Sequence, residues 1–155
     1  MNVVFLDYDG VVNTPQWSIN ALDQRWVCNF NSEFDGRVND TQAVQWLSEF
    51  CEKYGYAIVV TSTWRRAKNY KECLFNAGLR DGIEIIGCTP LIHNGTRGKE
   101  IGEWLKVHPE VDKYLIFDDD TDMGDHIDHL VKCDCTVGFK MNEFNKAEQL
   151  HLHFI

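Results

Sequence analysis

The sequence predicts an α/β fold built on a mainly parallel, five-stranded sheet, and three observations carry that prediction. Short continuous apolar runs alternate with stretches whose apolar residues recur at helical spacing. Helices of that length between strands act as crossovers, which pair strands in parallel and cover both sheet faces. Polar clusters directly follow three of the apolar runs, at the sheet edge where such folds carry their working crevice.

Taken in order, Val3 to Leu6 is an apolar run ending at Asp7 and reads as the first strand. Val44, Leu47, Phe50, Cys51 and Tyr54 form a helical stripe, with Asp40 as its N-cap and Gly55 as its stop. Tyr56 to Val60 is the second strand. Trp64, Ala67, Tyr70, Lys71, Leu74 and Ala77 give another helical stripe, closed by Gly78. Ile83 to Ile86 reads as the third strand. Gly98 to His108 reads as a helix with Ile101, Trp104 and Leu105 inward, stopped by Pro109. Tyr114 to Phe117 is the fourth strand, Val131 to Val137 the fifth, and Glu143 to Leu152 a terminal helix.

Composition narrows the class. At 155 residues the length fits one domain spanning 1–155. An apolar share of 44%, with 12% aromatics, is too rich for a disordered chain. No apolar run approaches the ~20 residues of a membrane span, so no membrane partner is expected. The start MNVVFLDYDG lacks the basic, then long apolar pattern of a signal peptide, so a cytoplasmic protein is expected. Fifteen Lys and Arg against 24 Asp and Glu give a net charge of −9, which argues against a nucleic-acid coat protein. The six cysteines are scattered without a CxxC pair, so reduced thiols are expected rather than disulfides or a zinc site. Cys133 and Cys135, two apart in the expected fifth strand, would share a face.

The polar clusters define a candidate site. Asp7-Tyr8-Asp9-Gly10 follows the first strand, Thr61-Ser62-Thr63 the second and Asp118-Asp119-Asp120 the fourth, while Lys99 opens the helix before that strand. Carboxylates gathered in one crevice raise one another's pKa unless a cation binds. Oxygen ligands in a partly hydrated site favour Mg²⁺. Such a site suits phosphoryl transfer, with one Asp as nucleophile and a second carboxyl shuttling the proton. Thr61 can donate to a phosphoryl oxygen, and Lys99 can balance charge there.

These residues resemble the motifs of the haloacid dehalogenase (HAD) superfamily. Asp7-Tyr8-Asp9-Gly10-Val11-Val12 looks like the first motif, Val59-Val60-Thr61-Ser62 the second, Lys99 the third and Phe117-Asp118-Asp119 the fourth. The phrases Thr61-Ser62-Thr63-Trp64-Arg65 and Arg97-Gly98-Lys99-Glu100-Ile101 further resemble the small HAD domains of Swiss Army Knife RNA-repair proteins. The resemblance implies a three-layer Rossmann-like (HAD-like) fold whose first strand lies between the second and fourth, without a substantial cap domain. It implies Asp7 as nucleophile and Asp9 as general acid/base, with Thr61, Ser62 and Lys99 binding phosphate. It also implies Mg²⁺ held by Asp7, Asp9 through its carbonyl, Asp118 and Asp119.

Residues 13–38 are long enough for a flap but not a folded lid, so the site is expected to be open. Trp17, Trp26, Phe30 and Phe34, with Arg25 and Arg37, could stack against a single-stranded end, or could pin this loop to the core. Asp120, Asp122, Asp125 and Asp128 read as a solvated acidic face or helix caps. His126 and His129 share a helical face but have no third ligand, and His151 and His153 read as tail residues. Arg65 and Arg66 suit a phosphate contact or an ion-paired face equally. Two functions compete: a Mg²⁺-dependent phosphatase acting on nucleotides, nucleic-acid ends or other phosphomonoesters, and a weakly catalytic phosphate-binding or protein-interaction module.

Overall fold

A computed structural model describes residues 1–17 and 39–154. Its strands are β1 (Asn2–Leu6), β2 (Tyr56–Val60), β3 (Ile85–Cys88), β4 (Lys113–Asp118) and β5 (Leu130–Lys132). Its helices are α1 (Thr41–Tyr54), α2 (Tyr70–Asn76), α3 (Arg97–Lys106) and α4 (Met141–His153). The sheet runs β3-β2-β1-β4-β5 with every pairing parallel, so β1 is central, flanked by β2 and β4.

Strand periodicity sorts the core into two layers. Val4, Leu6, Ile58, Val60, Leu115 and Phe117 face α1, α2 and α4. Val3, Phe5, Val59 and Ile116 face α3 through Ile101 and Trp104. Both faces are therefore covered, which is why β1 is apolar at successive positions rather than alternately. Among the described residues there is no cap domain, because the interval between the second and third polar clusters is filled by α2 and β3.

The start of α1 forms as its sequence predicts. The Asp40 carboxylate accepts from the amides of Gln42 and Ala43, and Gly55 ends the helix in the left-handed conformation. The stripe from Trp64 to Ala77 is instead two elements. Thr63–Arg66 is a single 3₁₀ turn capped by Ser62, Ala67 is extended, and α2 begins only at Tyr70. Side chains of Trp64 and Arg65 are anchored to other elements, as described below, and hold this turn apart from α2.

The fifth strand is also shorter than its apolar pattern suggests. It ends at Lys132, because Asp134 accepts from the amide and hydroxyl of Thr136 and closes a turn. Cys133 is consequently buried and Cys135 exposed, rather than sharing a face. The third strand begins at Ile85, two residues late, after a turn in which Ile83 N–H donates to the Arg80 carbonyl. His151 is not a loose tail residue: its ring packs 4.3 Å from Tyr54, and Nδ1 lies 3.0 Å from the Tyr56 hydroxyl.

The expected 13–38 flap falls largely outside the described residues, including Arg25, Trp26, Phe30, Phe34 and Arg37. Its two ends are clasped together: Asn13 Nδ2 donates to Asn39 Oδ1, and Asp40 N–H to the Val12 carbonyl. Asn39 in turn donates to the Cys73 carbonyl in α2, which ties this clasp to the core. Among the described residues, no helix is long and apolar enough to cross a membrane.

Candidate active site

Backbone pairing reaches the first residue of each polar cluster: Asp7 and Thr61 lie one past β1 and β2, and Asp118 ends β4. Asp7 N–H donates to the Phe117 carbonyl, Thr61 N–H to Leu6 and Cys133 N–H to Asp118. The side-chain alternation therefore continues, and Asp7, Thr61 and Asp118 all project from the face that α3 covers. That geometry explains why residues far apart in sequence meet in front of the α3 N-terminus. Carboxylate oxygens of Asp7, Asp118 and Asp119 lie within 4.8 Å of one another. Asp7 and Asp118 are buried, and Asp119 is half-buried.

Asp119 reaches this cluster over Gly10. Gly10 has φ +79°, and a Cβ there would fall 2.4 Å from Asp119 Oδ2. The Gly after the paired aspartates thus supplies both the left-handed turn and the space that the fourth carboxylate needs.

Arg97, the first residue of α3, supplies the positive charge. Its Nε lies 3.3 Å from Asp118 Oδ2 and its Nη2 lies 3.6 Å from Asp7 Oδ1. Nη1 donates to the Thr61 carbonyl and lies 3.4 Å from Glu100 Oε2. Lys99, the cation expected from the sequence, is exposed and lines a cavity of about 900 Å³ between α3 and residues 123–126. Helical geometry explains the exchange, since two residues along a helix rotate the side chain by about 200°. The signal was present, because the basic residue one turn before Ile101, and on the same side as Glu100, is Arg97.

Arg65 is held inside the protein through its two terminal nitrogens, while its buried Nε makes no hydrogen bond. Its Nη2 donates to Glu100 Oε2 at 2.8 Å with both side chains buried, and Nη1 donates to the Thr61 carbonyl. Glu100 Oε1 accepts from the Ile92 amide. Of the two readings the sequence left open for Arg65, the ion pair is the one observed. Its burial pulls the guanidinium pKa down, against the attraction of Glu100.

Asp9 is exposed, and its Oδ1 accepts from the indole of Trp64 at 3.1 Å. Ser62 is buried, and its hydroxyl oxygen caps the 3₁₀ turn by accepting from Trp64 N–H. Thr61 Oγ1 and Asp118 Oδ2 are buried without a hydrogen-bond partner. Orphaned acceptors and donors of this kind are costly, and here they face the same edge.

Electrostatics match this crowding. Burial, then the Asp118 charge, push the Asp7 carboxyl well above the usual range, with Arg97 opposing. Burial also lifts Asp118 to about 7, against the Asp120 amide and Arg97. Among the outer residues, Asp122 Oδ2 accepts from Arg97 N–H, so it caps α3. His126 and His129 hold Tyr114: His126 Nδ1 lies 2.7 Å from its hydroxyl, and the His129 ring stacks on it at 3.9 Å.

An open parallel sheet with a carboxylate trio, a paired basic residue and an aspartate two positions past the first defines a HAD-type domain, and HAD domains suggest a phosphatase-type hydrolase. The chain belongs to the family described as the HAD domain in Swiss Army Knife RNA repair proteins, matching it over residues 3–144. Among curated proteins, none matches the chain.

Proposed function

We propose that the protein is a Mg²⁺-dependent phosphomonoesterase working through an aspartyl-phosphate on Asp7. The observation that carries this reading is the meeting of Asp7, Asp118 and Asp119 oxygens within 4.8 Å, where the buried Asp118 Oδ2 faces Arg97 but accepts no hydrogen bond. An all-carboxylate donor set of that size fits a hard divalent cation. Asp7, Asp118 and Asp119 would hold the ion, together with the backbone carbonyl of Asp9. When bound, Mg²⁺ neutralises the carboxylates and the phosphoryl group, making Asp7 available as an anion.

The chain's own residues supply the rest. An Asp7 oxygen attacks phosphorus, and Asp9 gives its proton to the departing ester oxygen. Asp9, now a carboxylate, takes a proton from the water that releases phosphate from Asp7. The Thr61 hydroxyl donates to a phosphoryl oxygen, which gives its orphaned atom a partner. Arg97 balances the charge that Asp7 and the phosphoryl group share, and Ser62 keeps the Thr61 turn in place. Lys99 contributes at longer range, from the exposed side of α3.

A terminal phosphate of a nucleic acid is the substrate class we favour. The family's occurrence in RNA repair proteins and the lack of a cap among the described residues support it. The test is phosphate release from p-nitrophenyl phosphate with and without Mg²⁺, for the native protein and Asp7→Asn. Metal-dependent release that Asp7→Asn abolishes is expected, and full activity in that variant would overturn the mechanism. Oligonucleotides ending in a phosphate should turn over faster than mononucleotides or sugar phosphates. Turnover of small molecules alone would refute the substrate class.

A further inference from the structure

We infer that Trp64 is a positioning residue for proton transfer by Asp9. The inference rests on the phosphatase reading of the site and adds a residue to it. Trp64 is fully buried, while the carboxylate that its indole N–H meets, Asp9, is exposed. An indole N–H can only donate, so it fixes Oδ1 as an acceptor and leaves Oδ2 to carry the transferable proton.

Trp64 is held through both its backbone and its ring. Its amide donates to Ser62 Oγ, and its carbonyl accepts from Ala67 N–H. Its ring lies against Tyr8, with centroids 5.3 Å apart, and the Tyr8 hydroxyl donates to the Tyr70 carbonyl. Tyr8 stands between Asp7 and Asp9 in sequence, so the two aspartates and the indole are referenced to one rigid core unit. A solvent-exposed carboxylate would otherwise sample several rotamers, of which few aim Oδ2 at the leaving oxygen.

The P–O bond to Asp7 forms as the ester P–O bond breaks, and the Asp9 proton moves to the ester oxygen, so a neutral alcohol leaves. Protonation matters most when the leaving group is a poor one. An alkoxide needs it, whereas a nitrophenolate departs largely without help.

The experiment compares Trp64→Phe with the native chain on an alkyl phosphate and on p-nitrophenyl phosphate. The expected result is a kcat/KM, which reports transfer to Asp7 and not the release step common to both esters, that falls about tenfold further for the alkyl ester than for the aryl ester. In an Asp9→Ala background, Trp64→Phe should cause no further loss. Equal loss on both esters, or additive loss with Asp9→Ala, would overturn the inference while leaving the phosphatase reading intact. A native protein inactive on both esters would overturn that reading, and this inference with it. Should Trp64→Phe fail to fold, benzothienylalanine at position 64 keeps the ring shape and removes the N–H, with the same expectations. A readout independent of turnover is the Trp64 indole N–H resonance of metal-free protein. It should move when Asp9 is replaced by Ala, and a resonance that stays in place would refute the contact.

Discussion

Asp119 can join Asp7 and Asp118 only because position 10 has no side chain: a Cβ on Gly10 would stand 2.4 Å from Asp119 Oδ2. The loop after β1 and the loop after β4 are thus fitted to each other by one missing methyl group. Gly10→Ala should cost about 1–2 kcal/mol from the left-handed backbone alone, and it should also push Asp119 out of the cluster. The expected outcome is a modest fall in denaturation midpoint with a much larger loss of Mg²⁺ affinity, read by calorimetric titration. A variant that loses stability but binds the ion normally would separate the turn from the site.

The raised carboxyls at Asp7 and Asp118 set a pH dependence of stability in the metal-free protein. For an acid whose folded pKa is raised, the native state holds the proton longer than the unfolded chain. Stability from this source is present below the unfolded value near 4 and is lost as pH rises through the folded value, about 7 for Asp118. Carboxyls that are held low, such as the exposed Asp134 and the half-buried Glu148, act below that window with the opposite sign. Thermal midpoints without metal should therefore fall between pH 5 and 8, and added Mg²⁺ should raise them more at pH 8 than at pH 5. Asp118→Asn should flatten both trends. A metal response that is independent of pH would argue against these carboxylates as the ligands.

Much of this architecture was legible because apolar periodicity and caps report burial directly. The unbroken apolar run of β1 marked a strand covered on both faces, and Asp40 with Gly55 marked both ends of α1. The placement of the aspartates followed from what trails each strand. What the sequence hid was set by contacts between distant elements. The split between Thr63–Arg66 and α2 depends on where Trp64 and Arg65 are anchored, and neither Asp9 nor Glu100 is near them in sequence. The choice between Arg97 and Lys99 depends on the rotation of α3 against the sheet, which a residue pattern reports only to within a position or two.

That rotation makes Arg97 and Lys99 separable by mutation. Arg97→Ala removes the cation paired with both Asp7 and Asp118, so kcat should fall by about a hundredfold or more, in line with losing a charge-stabilising group. Arg97→Lys should recover only part of this, because a single ammonium cannot reproduce the guanidinium's separate contacts to Asp7, Asp118 and the Thr61 carbonyl. Lys99→Ala should leave kcat on a small aryl phosphate within about threefold of native, since an exposed charge is screened by water and salt. Steady-state kinetics on the three variants decides the assignment, and the reverse order would return the role to Lys99.

Glu100 joins the two arginines, and its buried position divides stability from activity. It accepts from Arg65 at 2.8 Å, lies 3.4 Å from Arg97 and accepts from the Ile92 amide. Glu100→Ala leaves the Arg65 guanidinium buried without its counter-charge and should cost about 3–5 kcal/mol in urea denaturation. Replacing both partners with apolar residues, Arg65→Met with Glu100→Met, removes the uncompensated charge and should recover most of that loss. Activity should not recover with it. Without Glu100 and Arg65, the Thr61 carbonyl loses one of its two donors and Arg97 loses the anion that orients it toward Asp7 and Asp118. A double variant that is stable but slow would show that this buried ion pair is kept for the geometry of the site. A double variant that is both stable and fully active would show that Arg97 and Thr61 are held in place without it.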